Sequence, residues 1–487
     1  MKDYMQYDAT GLAELVRSKQ VSATELLDAA IVRANAVEPK LNAIVQRLDS
    51  LGRAAAALAA SGPFAGVPFL LKDYGQELDG VPNMCGSAAL KNNIAHGDST
   101  YAARCKAAGL VIFGRTATPE FALKGITEPE AFGPTRNPIN TAHTPGGSSG
   151  GAAAVVASGI VPMAGASDGG GSIRIPAAYC GLFGLRPSRG RVPCGPHSGE
   201  GWEGASSEHV LTRSVRDSAA MLDVLAGASP GDPFGVAPSA LSFAEHARRA
   251  PGRLRIGFST RSPIGTSVDP EMMEAVRRTA KQLEALGHHV EEAEPTIDGL
   301  ALAKSFFTMY LGQVAANQRA CRALGAREDQ FELDSRALGL LGDALSAGEY
   351  VSERRKWNGY ARALAEYFTR YDLYLLPSTA YTAPKIGQLA TPALQRLAIK
   401  PILALGLGKA LLKSGQVDKM VRDNLRVTPF TQLSNLTGTP SMSCPLATSS
   451  AGLPIGMQFV APFGEEGRLL SLASQLESQF QLGRSAV

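Results

Sequence analysis

Short apolar runs alternate with helix-like stretches along the N-terminal part of the chain, and this alternation restricts it to a sheet layered with helices. The runs are Gly66-Val67-Pro68-Phe69-Leu70-Leu71, Leu110-Val111-Ile112-Phe113-Gly114 and residues 161–166. Their length and their glycine boundaries suit buried strands. Between and before them, residues 9–17 carry apolar side chains at helical spacing. Ser22-Ala23-Thr24-Glu25 is a capping-box pattern ahead of Leu26-Leu27, and that helix is expected to stop near Glu38-Pro39. Further helices are predicted over 51–60 and 100–108. Beyond them, 254–258 and 374–377 read as strands, 269–286 as an amphipathic helix ended by Gly287, and 300–371 as largely helical. Segment 385–426 is less regular. Its apolar stretch 401–408 is too short to span a membrane and reads as a lid or core helix. Strands alternating with helices predict an α/β fold.

Composition narrows the function classes. Hydrophobic residues make up 45% and charged residues 19%, which suffices for a sizeable core. The net charge of +4 is small, and the lysines and arginines are scattered, so no basic stripe argues for nucleic acid. No run approaches the roughly 18 apolar residues of a membrane span. Met1-Lys2-Asp3-Tyr4 lacks the apolar core of a signal peptide, so a cytoplasmic location is expected. The six cysteines, Cys85, Cys105, Cys180, Cys194, Cys321 and Cys444, form no C-x-x-C pair and have no metal-like spacing with histidine. Free thiols are expected. No internal repeat or low-complexity linker forces a division into domains.

Two clusters carry the chemistry. The first is Gly146-Gly147-Ser148-Ser149-Gly150-Gly151, followed by a short helix through 152–157. The second is Asp168-Gly169-Gly170-Gly171-Ser172-Ile173-Arg174. Glycines let the backbone turn tightly and approach other groups closely. Successive N–H groups beside a helix start bind anions or a developing oxyanion. Neither cluster matches G-x-x-x-x-G-K-[ST] or the dinucleotide fingerprint, which disfavours a nucleotide site. A serine nucleophile needs a base. Of the seven histidines, His143 lies closest in sequence, but no G-x-S-x-G elbow accompanies it, and it reads as a surface loop residue. Lys72 ends an apolar run directed into the core. A lysine there either snorkels out or serves as a base whose pKa burial has lowered.

The ordered motifs resemble the amidase signature family. They are Gly66-Val67-Pro68 with Lys72-Asp73; Gly114-Arg115-Thr116 with Pro119-Glu120-Phe121; Phe132-Gly133-Pro134-Thr135-Arg136-Asn137-Pro138; the two Gly/Ser clusters; and Cys180-Gly181-Leu182-Phe183-Gly184-Leu185-Arg186-Pro187-Ser188. Asn435-Leu436-Thr437-Gly438-Thr439-Pro440 and Gly452-Leu453-Pro454-Ile455-Gly456-Met457-Gln458 continue the match toward the C-terminus. The resemblance implies that Lys72 is a buried base, Ser148 a bridging serine after a cis Gly147–Ser148 peptide, and Ser172 the nucleophile. It also implies an oxyanion hole from the N–H groups of Gly169, Gly170, Gly171 and Ser172. Many members have a β-branched residue where this chain has Gly169, and the glycine is expected to loosen the loop or to open room beside the scissile bond. The Gly-Gly-Gly-Ser stretch and Thr127-Glu128-Pro129-Glu130-Ala131-Phe132-Gly133 are most similar to the branch that opens the cyclic dimer of 6-aminohexanoate.

The expected fold is a single amidase signature domain over residues 1–487, with a large mixed β-sheet flanked by helices on both faces. Its N-terminal helices occupy about 9–60, its catalytic core about 61–230, and a variable substrate-side region about 300–426. The expected activity is amide hydrolysis through an acyl-enzyme on a small neutral amide, linear or cyclic. No cofactor, metal, nucleic acid or membrane is expected, and a homodimer stays open. Alternatives are an amidotransferase A-type subunit that generates ammonia within a complex, a carbamate or aryl-ester hydrolase, a binding protein with a dead site, and a nucleotide-dependent enzyme.

Overall fold

The computed structural model describes residues 3–58 and 61–480. Its strands are β1 Ile44–Arg47, β2 Pro68–Lys72, β3 Val111–Thr116, β4 Met163–Asp168, β5 Phe183–Arg186, β6 Ser207–Thr212, β7 Arg255–Phe258, β8 His289–Glu292, β9 Leu373–Pro377, β10 Ser441–Thr448 and β11 Pro454–Val460. Eight of them form one sheet in the order β4-β6-β5-β10-β11-β9-β7-β8. Pairing is antiparallel from β4 through β9 and parallel from β9 to β8, so the sheet is mixed. Every residue of β4, β5, β6, β9 and β11 is buried, because helices flank both faces.

Lys72 does not sit on this sheet. Strand β2 pairs parallel with β3 and, with β1, makes a separate three-stranded sheet. The apolar run Pro68–Lys72 is buried along its whole length, lysine included.

The local signals explain most helices. Ser22 and Glu25 form the expected reciprocal cap on the helix Ala23–Leu41. That helix does not stop at Glu38-Pro39 but carries Pro39 inside its last turn. Buried Leu41 anchors the turn, and Glu38 Oε1 accepts the N–H groups of Ala43 and Ile44, both at 2.7 Å. Asn42, in the left-handed region at φ 51°, then ends the helix. The helix expected over 51–60 forms as Asp49–Ala56, and positions 59–60 lie outside the described residues. Segment 385–426 folds into three surface helices, Ala393–Ala404, Gly408–Lys413 and Val417–Leu425. The second packs through Gly408 against Leu340 and Ala344 of the helix Leu333–Ala344. Among the described residues no helix is long and apolar enough to cross a membrane. All six cysteines are free.

Candidate active site

Burial of β2 carries the Lys72 ammonium group into a place without solvent. Gln76 Oε1 accepts the Lys72 N–H at 2.8 Å, and Arg115 Nη2 donates to its carbonyl at 2.9 Å, which pins the backbone. The side chain is fully buried, and its Nζ lies 2.8 Å from Ser148 Oγ and 3.0 Å from Ser167 Oγ. Burial pushes the Lys72 pKa from 10.5 down to about 7, opposed by the neighbouring acids Glu208 and Asp168; burial raises the pKa of Glu208 itself, so Asp168, held ionised by Arg174, is the firmer negative charge.

Ser148 stands in the loop before the helix Gly150–Ala157 and is buried. The Gly147–Ser148 peptide is cis. Gly147 has to be glycine, because a Cβ there would lie 2.6–2.7 Å from backbone atoms of Ile126. Ser149 stitches the loop to β4: its hydroxyl donates to the Ser167 carbonyl and accepts the Ser167 N–H, each at 3.3 Å. Ser167 therefore faces Lys72 with its side chain and holds the Ser148 loop with its backbone. The sequence reading did not single it out, although it stands next to Asp168 at the end of a strand.

The second cluster is the turn between β4 and the helix Arg174–Cys180. Asp168, fully buried, organises it. Its Oδ1 accepts the Gly171 N–H at 2.7 Å, and its Oδ2 accepts those of Ile173 at 3.2 Å and Arg174 at 3.4 Å. The Arg174 guanidinium forks onto the same carboxylate at 2.8 and 2.9 Å. Burial by itself would favour the neutral acid, but Arg174, Arg186 and Asn435 outweigh it and hold Asp168 well below the usual carboxylate range. Gly171 takes φ 123°, a conformation that favours glycine. Arg174 continues to the Thr431 carbonyl, Gln458 Oε1 and Asn435 Oδ1, each at 2.8 Å. Asn435 Nδ2 returns to Asp168 Oδ1 at 2.9 Å. This buried network was missed from sequence, although Asn435 and Gln458 both lie in the quoted C-terminal motifs.

The network divides the four expected oxyanion donors. The Gly171 N–H is spent on Asp168. Among the described residues, the N–H groups of Gly169, Gly170 and Ser172 make no protein hydrogen bond. The Gly170 carbonyl is turned away, accepting from Thr431 Oγ1 at 2.6 Å and Gln432 Nε2 at 3.2 Å. Gly169, Gly170 and Ser172 are half-buried, unlike the fully enclosed Lys72. Lys72 and Ser148 are brought into direct contact, whereas no hydrogen bond joins Ser148 to Ser172. The room expected beside Gly169 is taken by the indole of Trp202, whose Cε3 would lie 3.1 Å from a Cβ at that position.

His143 plays no part in this cluster. Its Nδ1 lies 2.6 Å from the Ala383 carbonyl, and its backbone bridges to Lys385. Two histidines are buried elsewhere: His288 Nε2 lies 2.9 Å from Gln475 Oε1, and His209 pairs with Ser218 at 2.9 Å in the core, where burial draws its pKa down to about 3.

The profile of the Amidase family matches residues 25–470. The chain is 39% identical over 484 residues to the 6-aminohexanoate-cyclic-dimer hydrolase of Pseudomonas sp. (strain NK87), covering 96% of this chain and 94% of that protein. A solved structure of 6-aminohexanoate cyclic dimer hydrolase complexed with substrate superposes with a TM-score of 0.89 at 36% identity, covering 98% of each chain. A bacterial aryl acylamidase superposes at 0.83 with 27% identity, covering 99% of each. Similarity over nearly the whole length, in sequence and in fold, makes this chain a member of the amidase signature family, a hydrolase of carbon–nitrogen amide bonds.

Proposed function

We propose that the chain hydrolyses small uncharged carboxylic amides, linear or cyclic, through an acyl-enzyme on Ser172, with Ser148 and Lys72 as the proton relay. The observation that carries this reading is the fully buried Lys72 Nζ, 2.8 Å from Ser148 Oγ, with its pKa drawn down to about 7. An amine in that state is neutral in a large fraction of molecules near neutral pH and has a lone pair for a proton.

Lys72 takes the Ser148 proton as Ser148 takes that of Ser172, and Ser172 Oγ bonds to the amide carbon. The carbonyl oxygen becomes an oxyanion, held by the N–H groups of Gly169, Gly170 and Ser172. The Gly171 N–H, already bonded to Asp168, supports the shape of the turn. Collapse breaks the C–N bond, and the proton returns through Ser148 to the leaving nitrogen. Water then adds to the acyl ester by the same relay, releasing the acid and restoring Ser172. In a cyclic amide the amine stays attached to the acyl group, and one hydrolysis gives a linear amino acid. The similarity to proteins named for the 6-aminohexanoate cyclic dimer favours that class. Esters, with a better leaving group, should also turn over.

Ser172→Ala tests the nucleophile. It should lower kcat/KM by several orders of magnitude and abolish labelling by a fluorophosphonate. More than about a tenth of the original rate, equivalent to under about 1.4 kcal/mol of barrier, would remove Ser172 from the mechanism. A screen of a cyclic amide, a linear aliphatic amide, a carbamate, an aryl ester and a charged amino-acid amide tests the substrate class. A preference above about tenfold for the charged amide would overturn the uncharged assignment.

A further inference from the structure

Two consecutive glycines in the turn ahead of Ser172 are covered by aromatic rings. A Cβ on Gly169 would lie 3.1 Å from Cε3 and 3.3 Å from Cδ2 of Trp202, and one on Gly170 would lie 2.7 Å from Cζ of Phe306. The rings stand where side chains of this turn would otherwise project. Tyr310 joins them, edge-on to Trp202 at 5.8 Å between centroids and stacked on Phe306 at 6.2 Å.

The indole is held deliberately. Trp202 and Glu203 both have left-handed backbones, at φ 55° and 57°, which non-glycine residues rarely adopt in succession. Such conformations persist where neighbouring contacts over-determine them. Here Trp202 Nε1 donates to Tyr74 Oη at 3.2 Å. The Glu203 carboxylate accepts from Tyr350 Oη at 2.9 Å. Tyr74 follows Lys72 by two residues, and its ring centroid lies 5.9 Å from Lys72 Nζ. Trp202 thus spans from the end of the lysine strand to the glycine turn.

We propose that Trp202 is a specificity-determining residue: with Phe306 and Tyr310 it forms an aromatic wall that sets the width of the acyl site and selects unbranched methylene chains. This deepens the proposed function and rests on Ser172 being the nucleophile. A flat ring face packs well against an extended chain of CH2 groups. An acyl group branched next to its carbonyl meets the indole at the place where Gly169 has no side chain. The ring does the narrowing that a larger residue at 169 would do, and the Tyr74 hydrogen bond keeps it in position.

The test uses p-nitroanilides of butyric, hexanoic and pivalic acids, whose leaving group is common and whose intrinsic reactivity difference, the hindered pivaloyl carbonyl included, cancels when the same ratio is compared between variants. The wild-type enzyme should favour the hexanoyl over the pivaloyl anilide by more than about 100-fold in kcat/KM. Trp202→Ala should narrow that ratio at least tenfold, and Tyr74→Phe, which keeps the ring but removes the indole's acceptor, should narrow it in the same direction. Gly169→Val should depress the hexanoyl rate, and adding Trp202→Ala to it should restore at least tenfold. Equal losses on all three anilides in Trp202→Ala and Tyr74→Phe would overturn the proposal, as would purely additive effects of the 169 and 202 changes. Should Trp202→Ala fail to fold by circular dichroism, Trp202→Phe and Tyr74→Phe decide by the same ratio. Retained turnover in Ser172→Ala would defeat the nucleophile assignment alone, since the acyl-size ratio is measured in variants that keep Ser172.

Discussion

Lys72 carries a definite pH dependence. Its pKa is depressed by burial, from 10.5 to about 7, and the proposed relay needs the neutral amine. The neutral fraction is complete well above pH 7 and falls about tenfold per pH unit below it, so kcat/KM should drop on the acid side with a midpoint near 7. A profile flat down to pH 5 would contradict a lysine base. Lys72→Arg keeps a charge that cannot be shed and should lose activity by orders of magnitude. Full activity in that variant would reduce the lysine to a fixed positive charge. The burial of Lys72 was half legible in the sequence: an apolar run ending in lysine poses a choice between exposure and function, and the resemblance to the family, not the run itself, favoured the second. Ser167 was not legible, because a serine inside a strand carries no local signal; only the approach of β2 to β4 gives it a partner. Trp202 was hidden for the same reason: its contact with Gly169 depends on the backbone path of an irregular loop, and the glycine alone suggested empty space.

The turn from β4 into the helix Arg174–Cys180 depends on one carboxylate. Asp168 collects three backbone N–H groups and a guanidinium with both charged partners fully buried. Removing one partner of such a pair leaves the other charge uncompensated, at a cost of about 3–5 kcal/mol. Asp168→Asn should therefore lower the urea midpoint, and even where the protein still folds it should weaken fluorophosphonate labelling of Ser172 as the turn loosens. An unchanged midpoint would show that Arg174 has another counter-charge. Helices were read well where a cap or a periodic stripe marks them, as at Ser22 and at the helix Pro270–Ala285 with its Asp269 cap. Pro39 misled because tertiary anchoring of Leu41 and the Glu38 cap outweigh one missing backbone donor. Segment 385–426 stayed obscure because its first two helices lie on the surface and bury no stripe, and only the third, Val417–Leu425, sets Val421 and Leu425 into the core.

The alternation of runs and helices announced an α/β layer, but not the division into two sheets or the strand order, which depends on contacts far apart along the chain. In that order β10 and β11 stand between β5 and β9. Arg174 likewise reaches forward to Thr431, Asn435 and Gln458. A chain truncated after residue 426 keeps Lys72, Ser148 and Ser172 yet lacks the two strands that join the halves of the sheet. It should be recovered as aggregate and should not react with fluorophosphonate. A dispersed fragment with a reactive Ser172 would show that the N-terminal part folds independently.

The hairpin of β10 and β11 also sets a timetable. On the ribosome, the strands β4–β6 and β7–β9 emerge first as two partial sheets, each with an open edge, and nothing links them until residues 441–460 leave the exit tunnel. Unpaired edges of this kind are where nascent chains stick to one another or call on chaperones. Thr431, Asn435 and Gln458, which complete the Asp168–Arg174 network, lie in or just before the same hairpin, so the turn that carries Ser172 should stay unformed until that stretch has emerged.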